Sequence, residues 1–549
     1  MSADTNDDTN LDAIFREVGE FGRYHIFIYL LISIPNIISS ATFVNYMISA
    51  TTLEYRCRVP ECDVSGNNRD IPFDQPWLEN AIPFTQNKID RCHRYAPRNS
   101  TAAVNGQCHA HLFDTAKLIE CSEYVYTSDE KNVQTEFNTH CGETYKLALV
   151  GTISSVGRFV FLPFSGLLAD KYGRLKVVII GMTFCSLIGL LKSFSVNYLM
   201  YLTLEFFEAC VGTSTYAGSF VLGIELLTTR YRVLGSTIIS ISHPIGEVIF
   251  GLIAMHIHDF KHLLRITYIP GLFVFINFFL VPESIRWLLV TGRVDRAVKN
   301  LKTIARVNGK QLSETSVELL QSKYKIEQKV IRNKYDLDQS VKVEETAAPE
   351  TFCMIFKSKT LCVRFIVCSY QWVACCFYYY GISLYATHIP GTNRYVSFLI
   401  VVSVEIPSIL IALPLVNRTR RRILLFSTLL VAAISILATS FVPEEHSVIT
   451  VIFSLIGKGS ITFSFTLLYV FTAEQWPTNL RTTIMNSCSM IGRTGSMIAP
   501  FAVILGSQYG SLPALLFGAS AIIAAIMVIF NPETYSKKLP DTIKEAKQI

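Results

Sequence analysis

Twelve runs of apolar residues divide the 549-residue chain, near 24–46, 147–168, 177–195, 198–223, 234–256, 263–281, 360–382, 394–416, 423–441, 447–472, 482–505 and 511–531. Each is about 19–25 residues long, enough for a helix rising 1.5 Å per residue to cross roughly 30 Å of hydrocarbon. A chain of this length without such runs would form several soluble domains and carry charge on about one residue in four. Here 50% of residues are hydrophobic and 17% are charged. The sequence therefore predicts an all-α polytopic membrane protein with twelve transmembrane helices. The start, Met1-Ser-Ala-Asp-Thr-Asn-Asp-Asp8, is acidic and lacks the cationic region of a cleaved leader, so the first run is expected to be retained.

Orientation follows from lysine and arginine in the short loops. Lys171, Arg174 and Lys176 follow run 2, Arg230 and Arg232 follow run 4, and Arg418, Arg420, Arg421 and Arg422 follow run 8. The opposite loops are poor in cations, as in Pro443-Glu-Glu-His446. The basic side is predicted to be cytoplasmic, which puts both termini (1–23 and 532–549) inside and suits the plasma membrane. The net charge of +6 largely reflects this bias and gives no reason to invoke nucleic acid.

Two long loops interrupt the pattern. Residues 47–146 form a polar outer insert holding Cys57, Cys62, Cys92, Cys108, Cys121 and Cys141. Six cysteines outside the cell imply up to three disulfides among fifteen connectivities. A zinc site is the competing reading, but paired C-x2-C units are lacking, so no metal is expected. Asn99-Ser-Thr101 is a glycosylation sequon on the same side. The second loop, 282–359, is a cytoplasmic linker between a first bundle (24–281) and a second (360–531). Its stretch 294–333 has helical periodicity and predicts short amphipathic helices, whereas 334–350 reads as flexible.

The two bundles share a polar turn. Glu225-Leu-Leu-Thr-Thr-Arg-Tyr-Arg232 returns 249 residues later as Glu474-Gln-Trp-Pro-Thr-Asn-Leu-Arg481, both fitting E-x3-T-x2-R after a long apolar run. Parallel repeats of this kind build two pseudo-symmetric half-bundles that rock about a site at their interface.

Gly166-Leu-Leu-Ala-Asp170-Lys-Tyr-Gly173-Arg174 joins runs 2 and 3. There the small residues permit close helix approach, Asp170 can accept from a helix N-terminus, and Arg174 can pair with a carboxylate. It matches the G-x-x-x-D-x-x-G-R signature of the major facilitator superfamily and resembles that superfamily's cytoplasmic latch. The resemblance implies the major facilitator fold, two six-helix bundles, with Asp170, Arg174, Glu225, Arg232, Glu474 and Arg481 as gating residues. The second-half turn is degenerate, with Asn417 in place of the acid and Arg420 in place of the glycine. Nearly end to end, the chain also resembles the organic-ion transporters of the solute-carrier class. The cues are the cysteine-rich outer loop, Tyr55-Arg-Cys-Arg-Val-Pro60, Pro282-Glu-Ser-Ile-Arg-Trp-Leu-Leu289, Thr472-Ala-Glu-Gln-Trp-Pro-Thr478 and Leu539-Pro-Asp-Thr542.

Ionisable residues inside spans cost energy and mark cavities or partners. Arg493 lies twelve residues beyond Arg481, about 18 Å into the membrane, and Glu405 lies thirteen residues before Arg418, about 20 Å from the same face. They are predicted either to face a shared substrate cavity or to pair with each other. The resemblance implies that the Arg493 position is acidic in organic cation carriers and arginine in anion and carnitine-type carriers. Val404-Glu-Ile-Pro407 is similar to cation and carnitine carriers, and Ile409 stands where anion carriers have a lysine. One carboxylate and one guanidinium suit a zwitterion bearing a quaternary amine, and Tyr216–Glu225 also resembles the carnitine branch. Tyr379, Tyr380 and Phe465 match substrate-lining aromatics, and Tyr216 takes the place of another; rings of this kind hold a desolvated cation at about 0.5–2 kcal/mol each. Glu247, Arg158 and Lys458 are candidates for proton or sodium coupling or for mutual neutralisation, along with Glu208 and with His243 beside Pro244. Glu205 departs from the arginine usual in the family at that position.

The predicted function is alternating-access transport of a small organic ion, either an organic cation or a carnitine-like zwitterion, with an organic anion as the alternative. Such a carrier needs a bilayer and no cofactor beyond a coupling ion, and it performs no covalent chemistry. Gly457-Lys-Gly-Ser460 lacks the upstream glycine of a phosphate-binding loop and lies within a span, so it does not indicate ATP hydrolysis. A carrier-fold receptor that senses without transporting is the reading of a different class. The residues leave the oligomeric state open.

Overall fold

The computed structural model describes residues 4–63, 71–85, 88–98, 108–228, 230–322, 353–389, 393–443, 446–477, 480–535, 537, 540 and 543–548. The Asn99 sequon, the acidic stretch around Glu344 and the threonines Thr229 and Thr478 of the repeated turn lie outside them.

A short helix, α1 (Asp4–Val18), precedes the first bundle: α2 (Arg23–Ser49), α3 (Tyr145–Tyr172), α4 (Arg174–Lys192), α5 (Tyr198–Glu225), α6 (Arg232–His256) and α7 (Phe260–Leu272). From Phe273 the last of these tightens to a 3-10 turn and continues to Leu280. α8 (Ile285–Val290) and α9 (Val294–Val307) lead to the second bundle. That bundle comprises α10 (Lys359–Tyr385), α11 (Arg394–Ser403), α12 (Glu405–Arg418), α13 (Arg421–Thr439), α14 (Ser447–Glu474), α15 (Arg481–Tyr509) and α16 (Leu512–Met527). The cysteine loop joins α2 to α3; its side is called outer below and the opposite side inner.

Among the described residues, eleven helical segments are long and apolar enough to cross a membrane. α5 has the length, 28 residues, without the apolarity. Glu205, Glu208 and the Gly212–Ser219 stretch dilute its hydrocarbon. Run 8 is a single span in the sequence but two helices in the structure. Pro407 has no N–H to donate back to Ser403, so the helix breaks at Val404 and restarts at Glu405. The break puts Glu405 at a helix start in mid-membrane.

The halves meet where α3 packs on α15 and α6 on α11 and α12. Their joining contacts lie toward the outer ends. Thr152 donates to the Met497 carbonyl at 2.7 Å, Ser155 to that of Ser496 at 3.4 Å, and Arg394 pairs with Glu130 of the outer loop at 2.9 Å. Gly151 is required here, because a Cβ would meet the Tyr46 ring and Pro500 Cγ.

The outer loop is a small folded unit. Its strands are β1 (Tyr55–Cys57), β2 (Phe84–Thr85), β3 (Lys88–Ile89), β4 (His93–Pro97), β5 (Phe113–Glu120) and β6 (Tyr124–Tyr126). They form antiparallel pairs β1–β6, β2–β3 and β4–β5. Three disulfides select one connectivity of the fifteen: Cys57–Cys121, Cys62–Cys108 and Cys92–Cys141. Around them pack Val59, Leu78, Ile82 and Phe113, and Arg56 is buried on Asp63 at 2.9 Å.

On the inner side, α9 buries Ala297, Leu301 and Ile304 against Leu11, Phe15 and Val18 of α1. The Asn308 side chain clips the two together, accepting from the Tyr24 N–H at 3.1 Å and donating to the Val18 carbonyl at 3.0 Å. The periodicity over 294–333 thus yields α9 and a helical stretch at 314–322.

Candidate functional site

The repeated turns build two related ion-pair clusters at the inner ends of the bundles. In the first half, Arg174 pairs with Asp170 at 2.8 Å and reaches Glu225 at 3.4 Å. The α4 N-terminus is capped by Glu283, which accepts from the Leu175 N–H at 3.1 Å, rather than by Asp170. Asp170 is 71% exposed. Gly173 has φ of 109°, and a Cβ there would run into the Glu283 carboxylate. In the second half Arg421 stands in Arg174's place and pairs with Glu474 at 3.2 Å. Glu533 caps the helix through the amides of Arg421 and Arg422, at 3.0 and 3.2 Å. Thr534 donates to Glu474 at 2.5 Å. The degenerate turn therefore keeps its helix-end carboxylate and its arginine although Asn417 and Arg420 break the motif. Arg232 opens α6 and Arg481 opens α15, where Arg481 donates to the Trp476 carbonyl at 3.4 Å.

At mid-membrane, aromatic rings from both halves form one continuous lining. Tyr216 on α5 meets His243 on α6 edge-on at 5.6 Å, and His243 meets Phe43 on α2 at 6.0 Å. Phe43 touches Tyr380 across the interface at 5.1 Å, and Tyr380 abuts Tyr379 at 5.0 Å. Tyr379 stacks on Phe465 at 5.5 Å, which leads to Trp372 and Tyr469. Arg493 projects into this lining, half-buried, and donates to the Tyr380 hydroxyl at 2.9 Å. Arg158, from α3, lies over the Phe43 ring at 3.7 Å.

Glu405 and Arg493 do not form an ion pair with each other. Glu405 is held by Lys458 of α14 at 2.7 Å and by the Tyr379 hydroxyl at 2.6 Å, and it is 1% exposed. Lys458 also donates to Ser383 at 2.8 Å and to the Tyr379 carbonyl at 3.2 Å, and its ammonium covers the Tyr379 ring at 3.3 Å. Lys458 and Phe465 thus both pack on the Tyr379 ring. Phe465 and Tyr216 are half-buried, Tyr379 and Tyr380 are 9% and 8% exposed, and the half-buried Phe43 is already covered by Arg158.

The remaining charges separate in the same way. Lys192 bonds Glu205 at 2.6 Å and also Glu208, which in turn accepts from Tyr268. Glu205 therefore has a lysine partner one helix away, which accounts for an acid where the family has arginine. Glu247 pairs with His243 at 3.3 Å. Sequence reasoning missed Phe43, Trp372 and Tyr469 as lining and Lys192 and Arg421 as partners. Arg421 was recoverable, since it occupies the final position of the signature in the second half.

Residues 112–543 match the sugar (and other) transporter family. An organic cation transporter-like protein of Drosophila melanogaster is 27% identical over 98% of this chain and 92% of its own length. Solute carrier family 22 member 6-A of Xenopus laevis is 27% identical over 97% and 93%. The inward-open xylose transporter XylE from E. coli superposes with a TM-score of 0.61 at 12% identity, covering 94% of this chain and 98% of that one. The likeness to XylE establishes the shared major facilitator fold. The chain belongs to the sugar (and other) transporter family of the major facilitator superfamily and is a multi-pass membrane transporter, not an enzyme.

Proposed function

We propose that the chain carries small organic ions with a cationic centre, among them carnitine-like zwitterions, by alternating access across the plasma membrane, with both termini cytoplasmic. The observation that carries this reading is the aromatic lining drawn from both halves, with Arg493 and Arg158 on its wall. The half-buried rings of Phe465 and Tyr216 suit a quaternary ammonium, each worth about 0.5–2 kcal/mol once water is excluded. Arg493 presents a planar fork for a carboxylate. Glu405 and Tyr379 serve this site from behind, by fixing Lys458 and the start of α12. Contacts concentrated at the outer ends support a closed outer gate, with Arg174–Glu225 and Arg421–Glu474 holding each half's inner end. Relatives named organic cation transporters favour the same substrate class.

A second reading, an organic anion carrier, is favoured by one fact: with Glu405 neutralised by Lys458, two arginines, Arg493 and Arg158, lie on the lining. Uptake by oocytes of labelled carnitine, tetraethylammonium and p-aminohippurate separates the two. Uptake of carnitine or tetraethylammonium supports the first reading. Uptake of p-aminohippurate alone overturns it in favour of the second.

A further inference from the structure

His243 and Glu247 stand one helical turn apart on α6, about 22 Å from its inner end for Glu247. The imidazole Nδ1 lies 3.3 Å from the carboxylate; the histidine keeps 21% of its side chain exposed and the glutamate 3%. The ring therefore faces the aromatic lining, between Tyr216 and Phe43, with the carboxylate behind it. Glu205, Glu208 and Glu405 are each held by a lysine ammonium. Glu247 is paired instead with an imidazole, a side chain able to carry a proton.

The neighbouring elements leave the dyad in that condition. Tyr46 from α2, Tyr216 from α5, Tyr379 from α10 and Glu405 from α12 face it, and Lys458 is already bound to Glu405. The charges of α7 and α11 are engaged elsewhere. Lys261 bonds Glu136 at 2.5 Å, His262 lies 3.4 Å from Asp259, Arg265 covers Phe194 at 4.7 Å, and Arg394 holds Glu130. Arg158 meets the Phe43 ring that His243 also touches.

We infer that the His243–Glu247 dyad holds one exchangeable proton, which the cationic centre of the substrate displaces, so that the carrier exchanges an organic cation for a proton. With the proton on the ring, imidazolium and carboxylate sum to zero charge. When a quaternary ammonium enters the adjoining rings, the imidazolium N–H gives its proton to water. The dyad then carries −1, which the substrate balances. On release the dyad takes a proton back. One organic cation moves one way, one proton moves the other, and no net charge crosses the membrane. The charged dyad without either partner is costly in the membrane interior, which disfavours the empty, unprotonated state during the transition.

The inference rests on a substrate with a positive centre. Its test uses the full chain in liposomes with an acidic lumen, labelled tetraethylammonium outside and a pH dye inside. One unit of gradient is expected to drive about tenfold accumulation, since a pH unit is worth 1.36 kcal/mol per proton. Adding tetraethylammonium is expected to alkalinise the lumen. Glu247→Gln is expected to lose both responses, and Glu247→Asp to recover part of them. If Glu247→Gln does not fold, His243→Gln gives the same readout. Tetraethylammonium transport that ignores the gradient in the unaltered protein, or a gradient response that survives in the variant, overturns the exchange while leaving the substrate reading intact. Transport of p-aminohippurate without tetraethylammonium overturns the substrate reading and the exchange with it.

Discussion

Lys458 donates to Glu405 at 2.7 Å in mid-membrane, and the lysine side chain is fully buried. The pair joins α14 to the restart of run 8 and removes both charges from the substrate space. Lys458→Met leaves an uncompensated buried carboxylate, which costs about 3–5 kcal/mol. The expected result is a large fall in the melting temperature of detergent-solubilised protein, restored in part by adding Glu405→Gln. An unaltered melting temperature in Lys458→Met would show that the pair contributes little to folding.

Tyr379→Phe separates the ring from its hydroxyl. The ring stays between Lys458 and Phe465, while the hydrogen bond to Glu405 is lost, at about 1.5–3 kcal/mol for a charged acceptor. Stability is expected to fall while KM for the best substrate moves less than about threefold, because the ring is buried and already packed by Lys458 and Phe465. A KM rise of tenfold or more would instead place Tyr379 directly on the substrate.

Arg493→Lys keeps the charge and discards the planar fork. Affinity for a carboxylate-bearing substrate is expected to drop about 10- to 100-fold, the value of one charge-assisted bond. Tetraethylammonium, which has no carboxylate, is expected to be unaffected or improved. Parallel KM measurements on the two substrates check the difference.

Glu130 and Arg394 tie the outer domain to the second half at 2.9 Å, with 12% and 20% of their side chains exposed. Glu130→Gln is expected to favour opening of the outer gate by about threefold, within the range of a partly exposed pair. A cysteine introduced at Thr152 reports this as faster labelling by an impermeant maleimide. No change in labelling rate would remove the pair from the gate.

His140 stacks on Tyr124 at 4.0 Å and shares a 2.7 Å hydrogen bond with the Tyr126 hydroxyl. Burial lowers its pKa from 6.5 to about 4. The unfolded loop thus binds a proton between these values that the folded loop refuses. Stability is full above pH 6.5, declines as pH falls toward 4 and then levels, with a total loss of about 3 kcal/mol. Proteolysis of the outer domain across pH 7 to 4 should accelerate over that window. His140→Phe, which keeps the stacking and removes the proton, should flatten the profile.

Local patterns were legible from residue order. Span lengths gave the bundle, and the signature at Gly166–Arg174 with the turn at Glu225–Arg232 gave the repeat and its inner cluster. Arg493 followed from depth within a helix, and the aromatic positions from the resemblance to organic-ion transporters. What remained hidden depends on which helices touch. Lys458 and Glu405 lie on α14 and α12, 53 residues apart in the chain, and no periodicity announces their contact. The same holds for Lys192 with Glu205 and for Phe43 reaching Tyr380 across the halves. The pairing among six cysteines is likewise a property of the folded outer strands. The helix α1 escaped because its polar, acidic residues conceal the apolar stripe Leu11, Ile14, Phe15 and Val18.

Both ends of the outer domain enter from the first half, between α2 and α3, and all three of its disulfides close within it. None of the three therefore staples one half to the other. When the halves tilt, this domain rides as cargo of the first, and the non-covalent grip of Arg394 and Tyr395 on Glu130 must let go. A dye or antibody fragment fixed to that domain would then act as a pointer, its angle to the second half reporting each turnover from the outer side.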